Sequence, residues 1–140
     1  MSVRSTAEVI DRFNRAFTEH QAGLLADLIA EECVMASVQP APGGQLVRGR
    51  AACTAWWTAV LEDRATQFTP QDVIIAGDRA TIVWTYRFGA GPDSWVRGVN
   101  VMRVTGGRIV EAIGFSKTAG EVPLAAEADE VDRRTRTGGV

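Results

Sequence analysis

The chain is poor in the residues that build metal centres: one histidine, His20, and two cysteines, Cys33 and Cys53, among 140 residues. Tetrahedral sites need three or four such ligands at close spacing, so neither a metal nor any other cofactor is expected. The two cysteines are far apart in sequence and sit in apolar surroundings, which favours reduced, packed thiols over a disulfide and suggests a cytoplasmic address. No segment nears the roughly 20 apolar residues of a membrane span, and Met1-Ser2-Val3-Arg4 lacks the apolar stretch of a secretion signal, so a soluble chain with no membrane partner is expected. Neither charge sign dominates, with 15 Lys and Arg against 17 Asp and Glu. The late Arg133-Arg134-Thr135-Arg136 cluster lies beside an acidic stretch and offers no basic face, which argues against nucleic acid as a partner. Gly89-Ala90-Gly91 lacks the third glycine and the following helix of a dinucleotide fingerprint, and no nucleophile elbow occurs.

Apolar residues, in contrast, are plentiful. At 46% hydrophobic the chain can bury a core as a single domain, read over residues 1–120, with 121–140 as a mobile tail. Leu124, Ala128 and Val131 offer the alternative of a weak docking helix in that tail. Ser5-Thr6-Ala7-Glu8 fits a capping box, and Val9, Phe13, Ala16 and Phe17 follow at helical spacing. Leu24, Leu25, Leu28 and Ile29 predict a shorter second helix, and residues 33–38 a short strand. Pro40, Pro42, Gly43 and Gly44 mark a loop, and a third helix over about 50–63 carries Cys53, Trp56, Trp57 and Val60 on one face. Strands over 68–76, 79–88, 95–104 and 108–117, parted by Gly77-Asp78, the loop 89–94 and Gly106-Gly107, predict an antiparallel meander. Helices first and strands after give an α+β fold, three N-terminal helices packed on an antiparallel sheet.

One polar residue stands out in this apolar background. Asn100 lies within Val99-Asn100-Val101-Met102, and an amide taken out of water without partners costs about 1–3 kcal/mol, so a neighbour or a ligand must hydrogen-bond it. Alternation on the last strand puts Val110, Ala112, Gly114 and Ser116 on one face and Ile109, Glu111, Ile113 and Phe115 on the other. The small face leaves room. The bulky face needs a cover, read as a second copy of the chain packed on Val99, Val101, Ile109, Ile113 and Phe115, with the tail as the other candidate.

The order of elements, with Val9-Ile10-Asp11-Arg12-Phe13 near the start and Gly106-Gly107-Arg108-Ile109-Val110-Glu111 near the close, resembles the nuclear transport factor 2-like superfamily over about residues 5–118. Its small-molecule branch includes SnoaL-like polyketide cyclases, ketosteroid isomerases and limonene epoxide hydrolases. The resemblance implies a cone, with the sheet curled around the helices and an apolar cavity between them. In the ketosteroid isomerase pattern an aspartate base works with a tyrosine and a neutral carboxylic acid. By the resemblance, the tyrosine falls on Phe13, the base on Ser37 and the neutral acid on Asn100, so none of the three is kept. A serine without an activating partner takes no proton at neutral pH, which argues against steroid isomerisation by that route. An amide can still donate toward a developing oxyanion as a neutral acid does.

The same pattern sets Trp84 and Tyr86 on the cavity side. If Phe88 pairs with Val96, Trp84 stands opposite Asn100. Tyr86 reads either as a second donor or as a core ring with its hydroxyl at the rim. The epoxide hydrolase relay and the acid expected on the last strand of cyclases meet Trp84, Tyr86 and Gly114 instead. Glu32, Asp72 and Asp93 read as surface residues. His20, at a helix end, reads as a cap or a solvent-facing group.

Two functions follow. The first is a cyclase, isomerase or dehydratase acting on an apolar, oxygen-bearing ligand, with Asn100, Tyr86 and Ser37 polarising a carbonyl and Phe13, Phe17, Met35, Trp56, Trp57, Trp84 and Met102 forming the binding wall. The second is a non-catalytic ligand-binding or dimerisation module, its interior filled by Trp56, Trp57, Trp84 and Met102. An open cavity with Asn100 unpaired favours the first, and a closed core with Asn100 bonded to a neighbour favours the second.

Overall fold

A computed structural model of the chain describes residues 3–38 and 42–117. Helix α1, Thr6–Thr18, begins where the sequence signals it: Ser5 Oγ accepts from Glu8 N at 3.1 Å, while Glu8 Oε1 accepts from Ser5 N at 3.3 Å. These reciprocal bonds satisfy two N-terminal donors that the helix itself leaves open. The apolar stripe Val9, Ile10, Phe13, Ala16 and Phe17 is buried against the sheet.

The expected second helix is a single 3-10 turn, Ala22–Leu25, so the described residues hold two α-helices rather than the three expected. No side chain caps this turn, and Asp27 takes a positive φ of 63° two residues past it. A segment so short cannot repay helix nucleation, and only Leu25 and Leu28 anchor it through burial. Ile29 opens strand β1, Ile29–Ser37, four residues before the strand expected from 33. A short strand β2, Gln45–Arg48, follows the loop where no strand was expected. Helix α2, Arg50–Glu62, turns Cys53, Trp57 and Leu61 inward.

Strands β3 (Gln67–Ala76), β4 (Arg79–Arg87), β5 (Trp95–Thr105) and β6 (Arg108–Ser116) form the expected meander. The whole is one six-stranded sheet of order β2-β1-β6-β5-β4-β3, curved and mostly antiparallel, in which β1 runs parallel to β6. Because the register is explicit, rows of side chains can be followed across strands. Ser37, Gly114, Asn100 and Ile82 make one inner row, and Ser116, Gly98 and Trp84 the next.

Register corrects two expectations. Trp84 stands opposite Gly98 and Asn100 opposite Ile82, because Phe88 lies beyond β4 and its N–H closes the hairpin loop on Ser94 O at 3.0 Å. On β6, the pairs Arg103 with Glu111 and Val104 with Ile109 leave Val110 as an extra residue. Such a bulge reverses the alternation on one side of it. Ile109 is therefore fully buried in the core and does not belong to the outer face, while Val110 faces out beside Glu111. The core lies between the inner face and the helices, around Ile10, Phe13, Leu28, Leu61, Ile82 and Met102. Among the described residues no helix is long and apolar enough to cross a membrane. The expected tail segment, 121–140, lies outside the described residues.

Candidate functional site

Between the helices and the inner rows of β1, β4, β5 and β6 lies a cavity of about 270 Å³, open to solvent on one side. Its depth follows from sequence composition along the rows. Gly114, Ala112 and Ser116 on β6 stand where large side chains would otherwise fill the cone. Aromatic rings make the opposite wall: Phe13 and Phe17 from α1, Trp56 and Trp57 from α2, Phe68 from β3 and Trp84 from β4.

Five of these rings touch in series. Trp57 meets Phe13 edge-on at 5.1 Å between centroids, Phe13 meets Phe17 at 4.9 Å, Phe17 meets Phe68 at 5.4 Å, and Phe68 meets Trp84 at 5.9 Å. Offset and tilted ring contacts of this kind are favourable beyond their buried area and hold each ring in one orientation. At the end of the series Trp84 lies over Gly98, where a Cβ would fall inside the indole. The glycine thus lets the ring lie flat on the neighbouring strand and reach diagonally to Asn100.

There the indole Nε1 donates to Asn100 Oδ1 at 3.0 Å. Gly114 stands directly across from Asn100, and a Cβ on it would come within 3.2 Å of that same oxygen. Among the described residues no hydrogen bond reaches Nδ2 of Asn100. The amide is braced through its oxygen, and its side chain is part of the cavity lining. The two alternatives drawn from the sequence therefore each describe half of this residue.

Ser37, Tyr86 and Met35 also line the cavity, Ser37 in the same row as Asn100 and Tyr86 one pleat beyond Trp84. Met102 does not: it is fully buried in the core, between Ala80 and Ala112 on the neighbouring strands. Phe68, Val60, Ala36, Ala112, Gly114 and Ser116 are wall residues that sequence reasoning did not assign to the site. Phe68 pairs with Tyr86 across β3 and β4, a relation that needs the register. No carboxylate, imidazole or basic side chain is among the described lining residues. Glu32 lies on the outer face, and Asp72 and Asp93 are exposed.

His20 serves the scaffold. Its Nδ1 is 2.7 Å from Leu61 O at the end of α2, and a carbonyl only accepts, so the proton sits on Nδ1. Cys33 and Cys53, far apart in sequence, are neighbours in space, the Cys53 thiol donating toward Cys33 O at 3.7 Å. Both are free and fully buried. Burial, then the proximity and hydrogen bond of Cys53, then Glu32 push the Cys33 thiol from 9.0 up to about 12. A thiol so hard to ionise is a poor nucleophile and a poor metal ligand.

The SnoaL-like domain model matches residues 10–112 of the chain. Among solved structures, an NTF2-like protein of unknown function from Mesorhizobium loti is 47% identical, covers 84% of this chain and 97% of its own, and superposes with a TM-score of 0.77. A ketosteroid isomerase candidate from Kribbella flavida shares 19% identity over 84% of this chain and 82% of its own, at a TM-score of 0.69. A polyketide cyclase candidate from Sinorhizobium meliloti shares 20% identity over 76% and 92%, at 0.61. The last two likenesses are of fold alone. No curated protein matches the chain in sequence.

Proposed function

The chain belongs to the SnoaL-like domain family, and from that premise we propose that it is a small-molecule pocket protein, a cyclase, isomerase or dehydratase acting on an apolar, oxygen-bearing substrate of polyketide, terpenoid or steroid type. The observation that supports this reading is an apolar cavity, open to solvent, whose wall carries an amide oriented by Trp84 and bonded through its nitrogen to none of the described residues. A ligand carbonyl seated there accepts from Asn100 Nδ2, with Tyr86 Oη as a second donor and the Ser37 hydroxyl at the same wall. Polarisation of that carbonyl favours the charge that develops on its oxygen during enolisation, cyclisation or loss of water, with water entering through the open side taking up the proton released from carbon. The aromatic walls hold the carbon skeleton in one reactive shape, which lowers the entropy cost of the step.

No general base stands among the described wall residues, so the chemistry supported is that in which shaping and polarisation lead. The cavity volume, about 270 Å³, lies just below the usual range of ligand cavities, about 300 to 1,000 Å³, and favours the smaller members of the substrate class. The test is to extract the purified protein, identify any copurifying apolar metabolite by mass spectrometry, and incubate that compound with fresh protein. Conversion to a product of altered ring count or unsaturation supports the enzyme. Recovery of the compound unchanged supports the second reading, a non-catalytic binder, which the missing base favours.

A second copy of the chain is proposed to cover the outer sheet face through Val99, Val101, Ile113 and Phe115. Phe115 is 46% exposed there. The register continues an apolar row from Ile113 to Ala36 and Leu46 on one side, and through Val101 and Thr81 to Ile74 on the other.

A further inference from the structure

We infer that Trp84 is a positioning residue that fixes the polarity of the Asn100 amide, so that the cavity selects compact ligands presenting an acceptor oxygen over isosteric ligands presenting an N–H. The inference rests on the cavity being a ligand pocket and adds to that reading which atom the pocket recognises. A primary amide is nearly symmetric in shape, and by rotating half a turn it can offer either a carbonyl or an NH2 group to the same partner. Left alone, Asn100 would suit donor and acceptor ligands alike. Indole removes this freedom, because Nε1–H only donates. With Trp84 Nε1 at 3.0 Å, the oxygen must face the ring and the NH2 must face away. The rotated amide would set two donors against each other in a half-buried site and lose the bond as well.

The device works only if the ring itself cannot turn. Gly98 lets the indole lie against the backbone of β5, and Phe68 packs on it at a centroid distance of 5.9 Å. Phe68 is in turn held by Phe17 at 5.4 Å. Gly114 opposite the amide leaves the oxygen uncrowded at its bonding position, where a Cβ would press on it at 3.2 Å. Asn100 is thus a lining side chain whose polarity a neighbour sets.

Three bicyclic probes of one shape test this: 1-indanone, which accepts only; indole, which donates from N–H; and indane, which does neither. Dissociation constants are measured by calorimetry for the wild type and for Trp84→Phe, which keeps a ring over Gly98 and loses the donor. The wild type is expected to bind 1-indanone about tenfold tighter than indane, the equivalent of one neutral hydrogen bond, and indole no tighter than indane. Trp84→Phe is expected to bring the 1-indanone to indole ratio close to one, with 1-indanone weakened and indole strengthened. A ratio unchanged in Trp84→Phe, or a wild type that does not prefer the ketone to indole, overturns the inference while leaving the pocket reading intact. Failure of all three probes to bind the wild type overturns the pocket reading and the inference together.

A measurement on the wild type alone guards against a variant that does not fold. In a 1-indanone titration followed by 15N-1H NMR, the Asn100 side-chain amide protons should move downfield and the Trp84 indole proton should stay in place. A titrating indole proton with a static amide would show the ketone bound to Trp84 instead and overturn the inference.

Discussion

Asn100 carries the proposed chemistry with one half of its side chain and the fold with the other, so truncation should separate the two. Asn100→Ala removes the open donor and frees Trp84 Nε1 toward the cavity, where water can reach it. Ligand affinity or turnover is expected to fall about tenfold or more, with a stability loss of about 1 kcal/mol from the one hydrogen bond removed. Calorimetry and chemical denaturation on the same preparation check this. Unchanged affinity with a large loss of stability would show a brace and nothing else. A second residue-scale prediction concerns Cys33. Its folded-state value of about 12 stands above the ordinary 9.0, so between these limits the unfolded chain releases a proton that the folded chain keeps. The stability due to the neutral thiol is thus complete below pH 9 and lost progressively as pH rises toward 12. The melting temperature of the wild type should fall over that interval more steeply than that of Cys33→Ala.

At the scale of elements, the bulge at Val110 has the clearest consequence. It turns Ile109 into the core and leaves Phe115 outside, although plain alternation puts both on one face. Ile109→Ala is expected to cost about 2–5 kcal/mol in chemical denaturation, as for other buried aliphatics, and Phe115→Ala within about 0.5 kcal/mol for the isolated chain. Equal costs would show that the strand keeps unbroken alternation. Local signals made α1 and β3 to β6 legible. The Ser5 and Glu8 box acts within one turn, and Gly77-Asp78 and Gly106-Gly107 bend the chain where hairpins need it. The second helix misled because four apolar residues at helical spacing look alike in a helix and in an anchored turn. Strand β2 and the parallel pairing of β1 with β6 escaped notice because their bonds join residues remote in sequence.

For the whole molecule, the two faces of the sheet divide the work between a proposed ligand cavity inside and a proposed partner outside. Light scattering on the eluting protein is expected to give twice the chain mass, and Phe115→Asp to return the mass of one chain without altering ligand affinity. A single-chain mass for the wild type would leave the outer face to some other cover. Several cavity-lining residues were legible in the sequence: a polar residue inside an apolar strand draws attention wherever it lies, and the family resemblance set Trp84 and Tyr86 on the cavity side. Met102, two residues on from Asn100, lies instead in the filled core. Gly98 and Phe68 matter only through the register that brings them to Trp84.

Residue order alone was enough to establish an α+β chain, its kinship, and an isolated amide needing a partner. Those properties depend on periodicity and on hydrogen bonds made within a few residues, and both are written locally. Folding in three dimensions settled that the cavity stays open, that Ile109 turns inward, and that an indole two positions out of register holds the amide by its oxygen. Each of these depends on how distant segments align, and a shift of one residue in pairing reverses which side chains meet.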